Sequence, residues 1–322
     1  MTVEMVDKKG PHFPDPLKTP KEAQYKSVMS KNVDVKAELG YVYKAITLTR
    51  QKLKGRVPLI GFCGAPWTLL CYMVEGGGSK LFAQAKTWIY NYPEESKSLL
   101  QKIAETCVEH LAQQVAAGAQ LVQVFDSWAS ELSPATFAMF ALPYLRYIST
   151  KLPARLSEMG YDAVPMTVFA KGAWYALDDL CESGYDIVSL DWLHDPAQAF
   201  KVANGRVVIQ GNADPGCLYG SREGITATVQ RMVDGFEGGK RGWIGNLGHG
   251  MLSRVSTCPV GIRRLTFNRR DTPCGSRKVE VLPRRDPPID CNIGPTPTED
   301  SKDTSMQELL AYKKGIMARL GI

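Results

Sequence analysis

The sequence of 322 residues has no run of about eighteen apolar residues, the minimum that a membrane-spanning helix requires. Its first residues, MTVEMVDKKGPHF, contain neither the apolar stretch of a secretory signal peptide nor the composition of a transit peptide. Its eight cysteines include no C-x-x-C pair. We therefore expect no membrane partner, reduced thiols and a cytoplasmic location.

Histidine is scarce and dispersed, which limits metal chemistry. The four histidines are His12, His110, His194 and His249, and none lies at metal-ligand spacing to a cysteine. A G-x-G-x-x-G phosphate loop and a G-x-S-x-G nucleophile elbow are also absent. We therefore expect no metal, no dinucleotide cofactor and no serine nucleophile.

The formal net charge of +6 is unevenly distributed along the chain. Residues 251–322 contain 13 Lys/Arg and 8 Asp/Glu, whereas residues 1–250 contain 26 and 25. The positive excess thus belongs to a stretch that is rich in Pro, Arg, Ser and Thr and has no sustained period. We expect residues 251–322 to form a largely disordered basic tail, and we expect no nucleic-acid partner.

Six short apolar segments in residues 1–250 each follow a glycine that ends a helix. They are VPLIGF, AQLVQVF, YDAVPMTVF, YDIVSL, RVVIQ and WIGN. Each is apolar on both faces, as parallel strands covered by helices are. Helices are predicted over residues 35–54, 94–117 and 134–159, the last kinked at Pro143. The pattern predicts an α/β domain of the (β/α)8 TIM-barrel type with six of its eight strands, and an open doubly wound sheet is the alternative.

The first predicted strand, VPLIGF, leads into a small-residue stretch, Gly64-Ala65-Pro66-Trp67, which is followed by an apolar turn, Tyr72 and a triple glycine at 76–78. We interpret it as a binding loop, in which small residues let the backbone approach a ligand and Trp67 and Tyr72 supply aromatic surface. Ser79 is predicted to cap the next helix. A long connection rich in turn residues is the alternative interpretation.

Side chains at the C-terminal ends of barrel strands are the ones that carry chemistry. This rule nominates eight residues: Tyr72, Asp126, Ser127, Lys171, Asp191, Asn212, Asp214 and His249. The Ser127 hydroxyl is predicted to bind a substrate carboxylate or to be structural. His249, between two glycines, is predicted to hold a carboxylate or move a proton, with a buried structural histidine as the alternative.

Two of the nominated aspartates have structural interpretations. Asp214 precedes Pro215, so we favour a helix cap with the proline in the first turn. Asp191 is predicted to orient a neighbouring side chain rather than to react. The Tyr72 phenol is either a substrate donor or a packing residue with a hydrated tip.

Residues 1–250 contain six blocks, in order, that resemble the uroporphyrinogen decarboxylase family. They are LGYVYKAITLTRQKLKGRVPLIGFCGAPWTLLCYMVEGGGS, AGAQLVQVFDSWASEL, VPMTVFAKG, SLDW, QGNADP and NLGHG. The resemblance implies a (β/α)8 barrel, a homodimer and no cofactor. It also implies removal of carboxyl groups from the four acetate side chains of uroporphyrinogen, which gives coproporphyrinogen in haem biosynthesis. The substrate-binding residues of the family correspond to Tyr72, Ser127 and His249.

Two blocks of the family do not occur in the 322 residues. One, P-V-W-x-M-R-Q-A-G-R-Y, carries substrate-binding arginines, and the other, F-S-D-I-L, carries the aspartate that stabilises the cationic intermediate. The missing region would carry the first two barrel strands, and one interpretation is that both blocks are encoded upstream of Met1 in a longer form of the chain. In their absence no catalytic residue is assigned, and we expect impaired activity and marginal stability.

Two other functions remain open at the level of sequence. A non-catalytic relative would act as a binding or partner protein. A zinc-dependent methyltransferase of the same superfamily is less favoured, because Gln210-Gly211-Asn212 and Gly250-Met251 after His249 offer no thiolate ligand.

Overall fold

The computed structural model describes residues 4–6, 10–239 and 242–251. These residues divide into two compact units, the first ending at Val188 and the second beginning at Ser189. The predicted basic tail, apart from Met251, lies outside the described residues.

The first unit opens with a two-stranded antiparallel ribbon, β1 (Glu4–Val6) and β2 (Gly10–His12). Its parallel strands are β3 (Ile60–Gly64), β4 (Leu121–Asp126) and β5 (Met166–Ala170), and β6 (Ile187–Ser189) crosses its boundary. Its helices are α1 (Ala23–Ser30), α2 (Val35–Glu38), α3 (Gly40–Leu53), α4 (Pro66–Glu75), α5 (Ala83–Asn91), α6 (Pro93–Ala116), α7 (Pro134–Phe140), α8 (Leu142–Glu158) and α9 (Leu177–Cys181).

The second unit continues the alternation of helix and strand. It contains α10 (Pro196–Ala203), β7 (Val208–Ala213), α11 (Arg222–Gly235) and β8 (Trp243–Leu247). Two short 3-10 helices, Pro215–Tyr219 and Glu237–Gly239, lie in its connections. Strands β7 and β8 are parallel, with Ile209 opposite Trp243.

The strand order β3-β4-β5-β6-β7-β8 follows the chain, as it does in a (β/α)8 barrel. Pairing of β3 with β4 and of β4 with β5 is parallel, with Ile60 opposite Leu121 and Val122 opposite Met166. All six predicted strands are confirmed. The fold class, an α/β sheet of the TIM-barrel type with six parallel strands in the described residues, is confirmed as well.

Two predicted helices differ in detail from the structure. Residues 35–54 form α2 and α3, which meet at Leu39, and Gly55 follows with φ of 75° as the predicted helix stop. The helix predicted over 134–159 ends at Phe140 and begins again at Leu142, so Pro143 lies in the first turn of α8. The proline therefore starts a new helix, where its missing N–H costs nothing, rather than kinking an old one.

Helix α6 is central to the first unit and packs against α4, α8 and β3. Leu99, Ile103, Cys107 and Leu111, spaced by four residues, form its buried face. None of the described helices, α6 included, has both the length and the apolar character needed to cross a bilayer.

Strand β3 pairs only with β4 among the described strands, so one of its edges has no strand partner. The Phe62 N–H donates to Gln114 Oε1 at 3.0 Å, and the Phe62 carbonyl accepts from Gln114 Nε2 at 2.9 Å. One glutamine side chain of α6 therefore satisfies both backbone groups that an added strand would use at this position.

Candidate active site

The stretch interpreted as a binding loop is mostly the helix α4. Pro66 occupies its first turn, and Trp67 is fully buried with 0% exposure. The loop prediction was wrong for Trp67, because Pro66 starts a helix whose apolar face packs into the core. Gly64 has a packing role instead, since a Cβ there would lie 2.9 Å from Leu69 Cδ2.

Ser79 does not cap α5, contrary to the prediction. The residue that flanks α5 is Phe82, in the left-handed region with φ of 50°. The Ser79 Oγ accepts a hydrogen bond from the Phe82 N–H at 3.0 Å. Ser79 thus closes the turn just before the helix.

Tyr72 projects from α4 and is half-buried. Its ring meets Trp128 edge to face, with centroids 6.0 Å apart, and Trp128 also contacts Phe82 at 4.9 Å. Burial raises the pKa of Tyr72, and a hydrogen bond with the Trp128 side chain opposes this effect. The phenol is therefore neutral at physiological pH and can donate a hydrogen bond to a carboxylate.

Ser127 follows the last residue of β4 and is half-buried. Its hydroxyl has no hydrogen-bond partner within the described part of the chain. The hydroxyl is therefore available to a ligand. Lys171, after β5, donates its backbone N–H to the Asp126 carbonyl at 3.0 Å, which joins the ends of the two strands.

Asp126 lies in the interior, with 0% exposure, and is not a surface group at the strand end. Thr68 Oγ1 donates to its Oδ1 at 2.6 Å, while Oδ2 is buried without a partner. Burial raises the pKa of this carboxyl to about 7, although hydrogen bonds from Thr68 and the Trp128 backbone lower it. Sequence reasoning nominated Asp126 by its position but did not detect its burial.

In the second unit, His249 lies two residues beyond β8 and meets the Trp192 ring at 6.4 Å, edge to face. A Cβ on Gly248 would lie 2.6 Å from the Trp192 backbone nitrogen, whereas a Cβ on Gly250 would meet nothing within 4 Å. Only the first of the two flanking glycines is therefore required by close packing. It lets the end of β8 lie directly on the Asp191–Trp192 backbone.

His194 is the polar residue that sequence reasoning missed. Its Nδ1 lies 3.2 Å from Asp191 Oδ1, and both side chains are buried, with 8% and 1% exposure. Asn212 Nδ2 donates to the Asp191 carbonyl at 2.9 Å and to the His194 carbonyl at 2.8 Å. The spacing of three residues between Asp191 and His194, just before Pro196, was the available signal.

The structural roles predicted for the two aspartates are supported in the second unit. Asp214 accepts a hydrogen bond from the Gly216 N–H at 2.7 Å and so caps the 3-10 helix that begins at Pro215. Asp191 accepts from the Leu193 N–H at 3.0 Å as well as facing His194. Asn212 holds the turn that contains these residues and is not presented to a ligand.

The first unit brings Tyr72 together with the turn that contains Ser127, through the Tyr72–Trp128 contact. His249 belongs to the second unit, where its neighbour is Trp192. That all three side chains share one cavity stays a prediction. Within the described ranges, no three His, Cys, Asp or Glu side chains cluster as a metal site would require.

Comparisons with known proteins identify the family of the chain. The family model "Uroporphyrinogen decarboxylase (URO-D)" matches residues 1–262. The uroporphyrinogen decarboxylase of Schizosaccharomyces pombe is 53% identical over 257 residues, which are 80% of this chain and 71% of the relative. That of Danio rerio is 52% identical over 261 residues, 81% of this chain and 69% of the relative.

A solved structure described as a methyltransferase from Methanosarcina mazei superposes with a TM-score of 0.60 at 18% identity, over 79% of this chain and 71% of the other. At this identity the superposition supports the fold alone. The two relatives are each about half identical to this chain over most of its length. Together with the family model, they show that the chain belongs to the uroporphyrinogen decarboxylase family of carboxy-lyases.

Proposed function

We propose that the chain binds uroporphyrinogen and catalyses the cofactor-free decarboxylation of the four acetate side chains of this substrate. The product is coproporphyrinogen, and the reaction is a step of haem biosynthesis. The family match over residues 1–262 is the observation that carries this proposal. The available hydroxyl of Ser127 and the neutral phenol of Tyr72, which Trp128 links, support a site that recognises carboxylates.

The chemistry requires no electron-accepting cofactor. Protonation of a pyrrole ring makes that ring an electron sink, so the bond to the departing carboxyl group breaks with its electrons moving into the ring. The protein stabilises the cationic ring and holds the remaining carboxylates. In this proposal Tyr72 and Ser127 donate hydrogen bonds to substrate carboxylates, and His249 is a third donor.

We further propose that a polypeptide limited to residues 1–322 turns substrate over slowly. These residues contain neither the arginine block nor the aspartate block of the family. Weak anchoring of a highly carboxylated substrate raises KM, and an unsupported cationic intermediate lowers kcat. A loss of about a hundredfold or more in kcat/KM relative to the S. pombe relative is expected.

The test compares three proteins: residues 1–322, the S. pombe enzyme, and a chimera in which the S. pombe segment preceding the matched region is joined ahead of Met1. Each is incubated anaerobically with uroporphyrinogen, and products are oxidised and separated by chromatography. The chimera should recover most of the activity, and a chelator should leave its rate unchanged. Coproporphyrinogen formation by residues 1–322 at the rate of the S. pombe enzyme would contradict the proposed impairment.

A binding role without catalysis is the second candidate, favoured by the lack of the two blocks. Uroporphyrin binding, measured by tryptophan fluorescence, separates the candidates. An inactive chimera that still binds uroporphyrin, with Y72F and S127A each weakening affinity, would establish this second function. A chain for which neither substitution changes binding would lack the proposed site.

The assembly and compartment are also proposals. A homodimer, proposed on the family resemblance, is tested by light scattering coupled to size-exclusion chromatography. A cytoplasmic location is supported by Cys63, Cys71, Cys107 and Cys217, which form no disulfide within the described residues. Fractionation of cells expressing a tagged chain is its direct test.

A further inference from the structure

The turn after β4 is tied to helix α4 by a buried group that the proposed chemistry does not use. Thr68 Oγ1 donates a hydrogen bond to Asp126 Oδ1 at 2.6 Å. The same Thr68 oxygen accepts a hydrogen bond from the Trp128 N–H at 3.4 Å. Thr68 Oγ1 therefore links the Asp126 carboxyl, before Ser127, to the backbone N–H of Trp128, after it.

Trp128 connects this turn to Tyr72. Its carbonyl accepts from the Trp67 indole at 2.9 Å, and its ring packs edge to face on Tyr72. Trp67 and Thr68 are buried in the first turn of α4, and Tyr72 lies one turn farther along the same helix. A shift of the Asp126 side chain therefore moves Trp128, and with it the environment of Tyr72.

We propose that Asp126 is a positioning residue that fixes Ser127 and Tyr72 relative to each other, through Thr68 and Trp128, for binding of a carboxylated tetrapyrrole. The role of Asp126 in positioning substrate rests on the proposed function. The geometric part of the proposal, that Asp126 holds the Trp128 turn through Thr68, does not, because it concerns contacts within the first unit alone. The unpartnered, fully buried Oδ2 is the independent sign that this carboxyl is kept for more than packing.

The charge state of Asp126 supports the inference. Burial raises its pKa to about 7, so the carboxyl changes charge near neutral pH. The titratable groups around it are the buried Cys71 on α4 and the tyrosines 175 and 185, and the charge of Asp126 contributes to the raised pKa of each. Glu131, Glu75 and Lys86 surround Cys71 in turn. Ionisation of Asp126 strengthens its acceptor capacity toward Thr68, whose oxygen in turn accepts from the Trp128 N–H.

The first experiment needs no ligand. Residues 1–322 are labelled with 5-fluorotryptophan, and the Trp128 signal is assigned by its absence in W128F. We expect its fluorine chemical shift to titrate with a midpoint near pH 7, and D126N to abolish this titration. T68V should displace the signal, whereas T167V, which removes a buried hydroxyl that has no partner, should leave it in place.

A Trp128 signal that is displaced by neither T68V nor D126N, or that titrates equally in D126N, would overturn the proposed link through Asp126, Thr68 and Trp128. Because D126N keeps an oxygen acceptor for Thr68, this variant should retain the fold. Circular dichroism of each variant provides the check on folding. The result does not depend on whether the chain binds a tetrapyrrole.

The second experiment measures uroporphyrin affinity in a double-mutant cycle. D126L should weaken binding about tenfold in the wild-type background and less than about twofold in a Y72F/S127A background, because the residue acts through these two. D126N should bind within about threefold of wild type at pH 6. Equal losses in both backgrounds would overturn the positioning role.

The two proposals fail in different ways. If wild type and Y72F/S127A bind uroporphyrin equally well, the proposed site is wrong, and the fluorine titration still decides whether Asp126 fixes the Trp128 turn. If Y72F/S127A weakens binding but D126L and T68V do not, the proposed site stands and the positioning role of Asp126 is wrong.

Discussion

Gly248 shows how a single missing Cβ sets the position of a candidate site residue. An alanine there would place a carbon 2.6 Å from the Trp192 nitrogen and 2.9 Å from the Asp191 carbonyl carbon. Backbone atoms cannot yield as the end of a flexible side chain can. The end of β8, which carries His249, would have to move.

We predict that G248A destabilises the second unit by about 1–3 kcal/mol and displaces His249 from Trp192. Urea unfolding, followed by Trp192 fluorescence against a W192F reference, measures both effects. G250A is the matched control, because a Cβ at Gly250 meets nothing within 4 Å. Equal stability of the two variants would show that the turn relaxes at no cost.

His110 is buried in α6 with 3% exposure, and its Nδ1 lies 3.0 Å from the Tyr43 hydroxyl. Burial lowers its pKa from 6.5 to about 4. The unfolded chain therefore binds this proton more readily than the folded chain. The neutral ring contributes its full stability above pH 6.5, and this contribution is lost as the pH falls toward 4.

We predict that the free energy of unfolding of H110Q, relative to wild type, rises by up to about 3 kcal/mol between pH 6.5 and pH 4. H110Q is compared with wild type because Asp126 makes stability depend on pH in the opposite direction. The pKa of Asp126 is raised to about 7, so its contribution to stability is lost as the pH rises. Urea unfolding at several pH values is the measurement. H12Q, at an exposed position, is the control, and parallel pH curves for H110Q and wild type would contradict the prediction.

At the scale of residues, the sequence was enough to nominate candidate site residues but did not predict their burial or their contacts. Motifs and strand ends were enough to nominate Tyr72, Ser127 and His249. They did not show that Asp126 is buried, because burial depends on how α4 covers the end of β4. They also did not reveal the contact between Asp191 and His194, because a local turn and the amide of the distant Asn212 together produce it.

Strands and helices were predictable where the sequence period agreed with the packing. Each apolar segment after a helix-ending glycine forms a parallel strand, and both faces are covered in β5 and β6, whereas β3 and β8 keep exposed side chains. The stretch 65–75 was misread because Gly64, Ala65 and Pro66 resemble a loop. Pro66 in a first turn and the buried residues after it are equally typical of a helix, which the structure contains.

The edge of β3 that has no partner among the described strands gives a prediction at the same scale. Gln114 satisfies the N–H and the carbonyl of Phe62, while the Ile60 and Phe62 side chains are 45% and 43% exposed. Q114L removes both hydrogen bonds and leaves an open edge beside exposed apolar side chains. We predict a loss of about 2 kcal/mol in the free energy of unfolding and an increase in self-association.

Light scattering over a range of concentrations measures the association, and urea unfolding measures the stability. Q113L is the matched control on the same helix, since Gln113 donates its side-chain hydrogen bond to Glu109, at 2.8 Å, rather than to the β3 backbone. If Q113L and Q114L associate to the same extent, the loss of a polar side chain from α6 rather than strand pairing is the cause.

For the molecule as a whole, most of the net positive charge lies in residues 251–322. Residues 251–322 contain five more basic than acidic side chains, whereas the remainder contains one more. We predict that a chain ending at Met251 elutes from a cation-exchange column at clearly lower salt than residues 1–322, and that its retention on heparin is lost. Unchanged retention would place the basic surface within residues 1–250.

The Asn212 amide has a consequence for the chemical lifetime of the molecule. Its nitrogen holds two carbonyl oxygens, those of Asp191 and His194, within 2.9 Å. Deamidation would exchange this double donor for a carboxylate that faces the same two oxygens, and two attractions would become repulsions. Hydrolysis of one side-chain amide, a modification that adds less than 1 Da in mass, would thereby release the turn on which His194 and Trp192 depend.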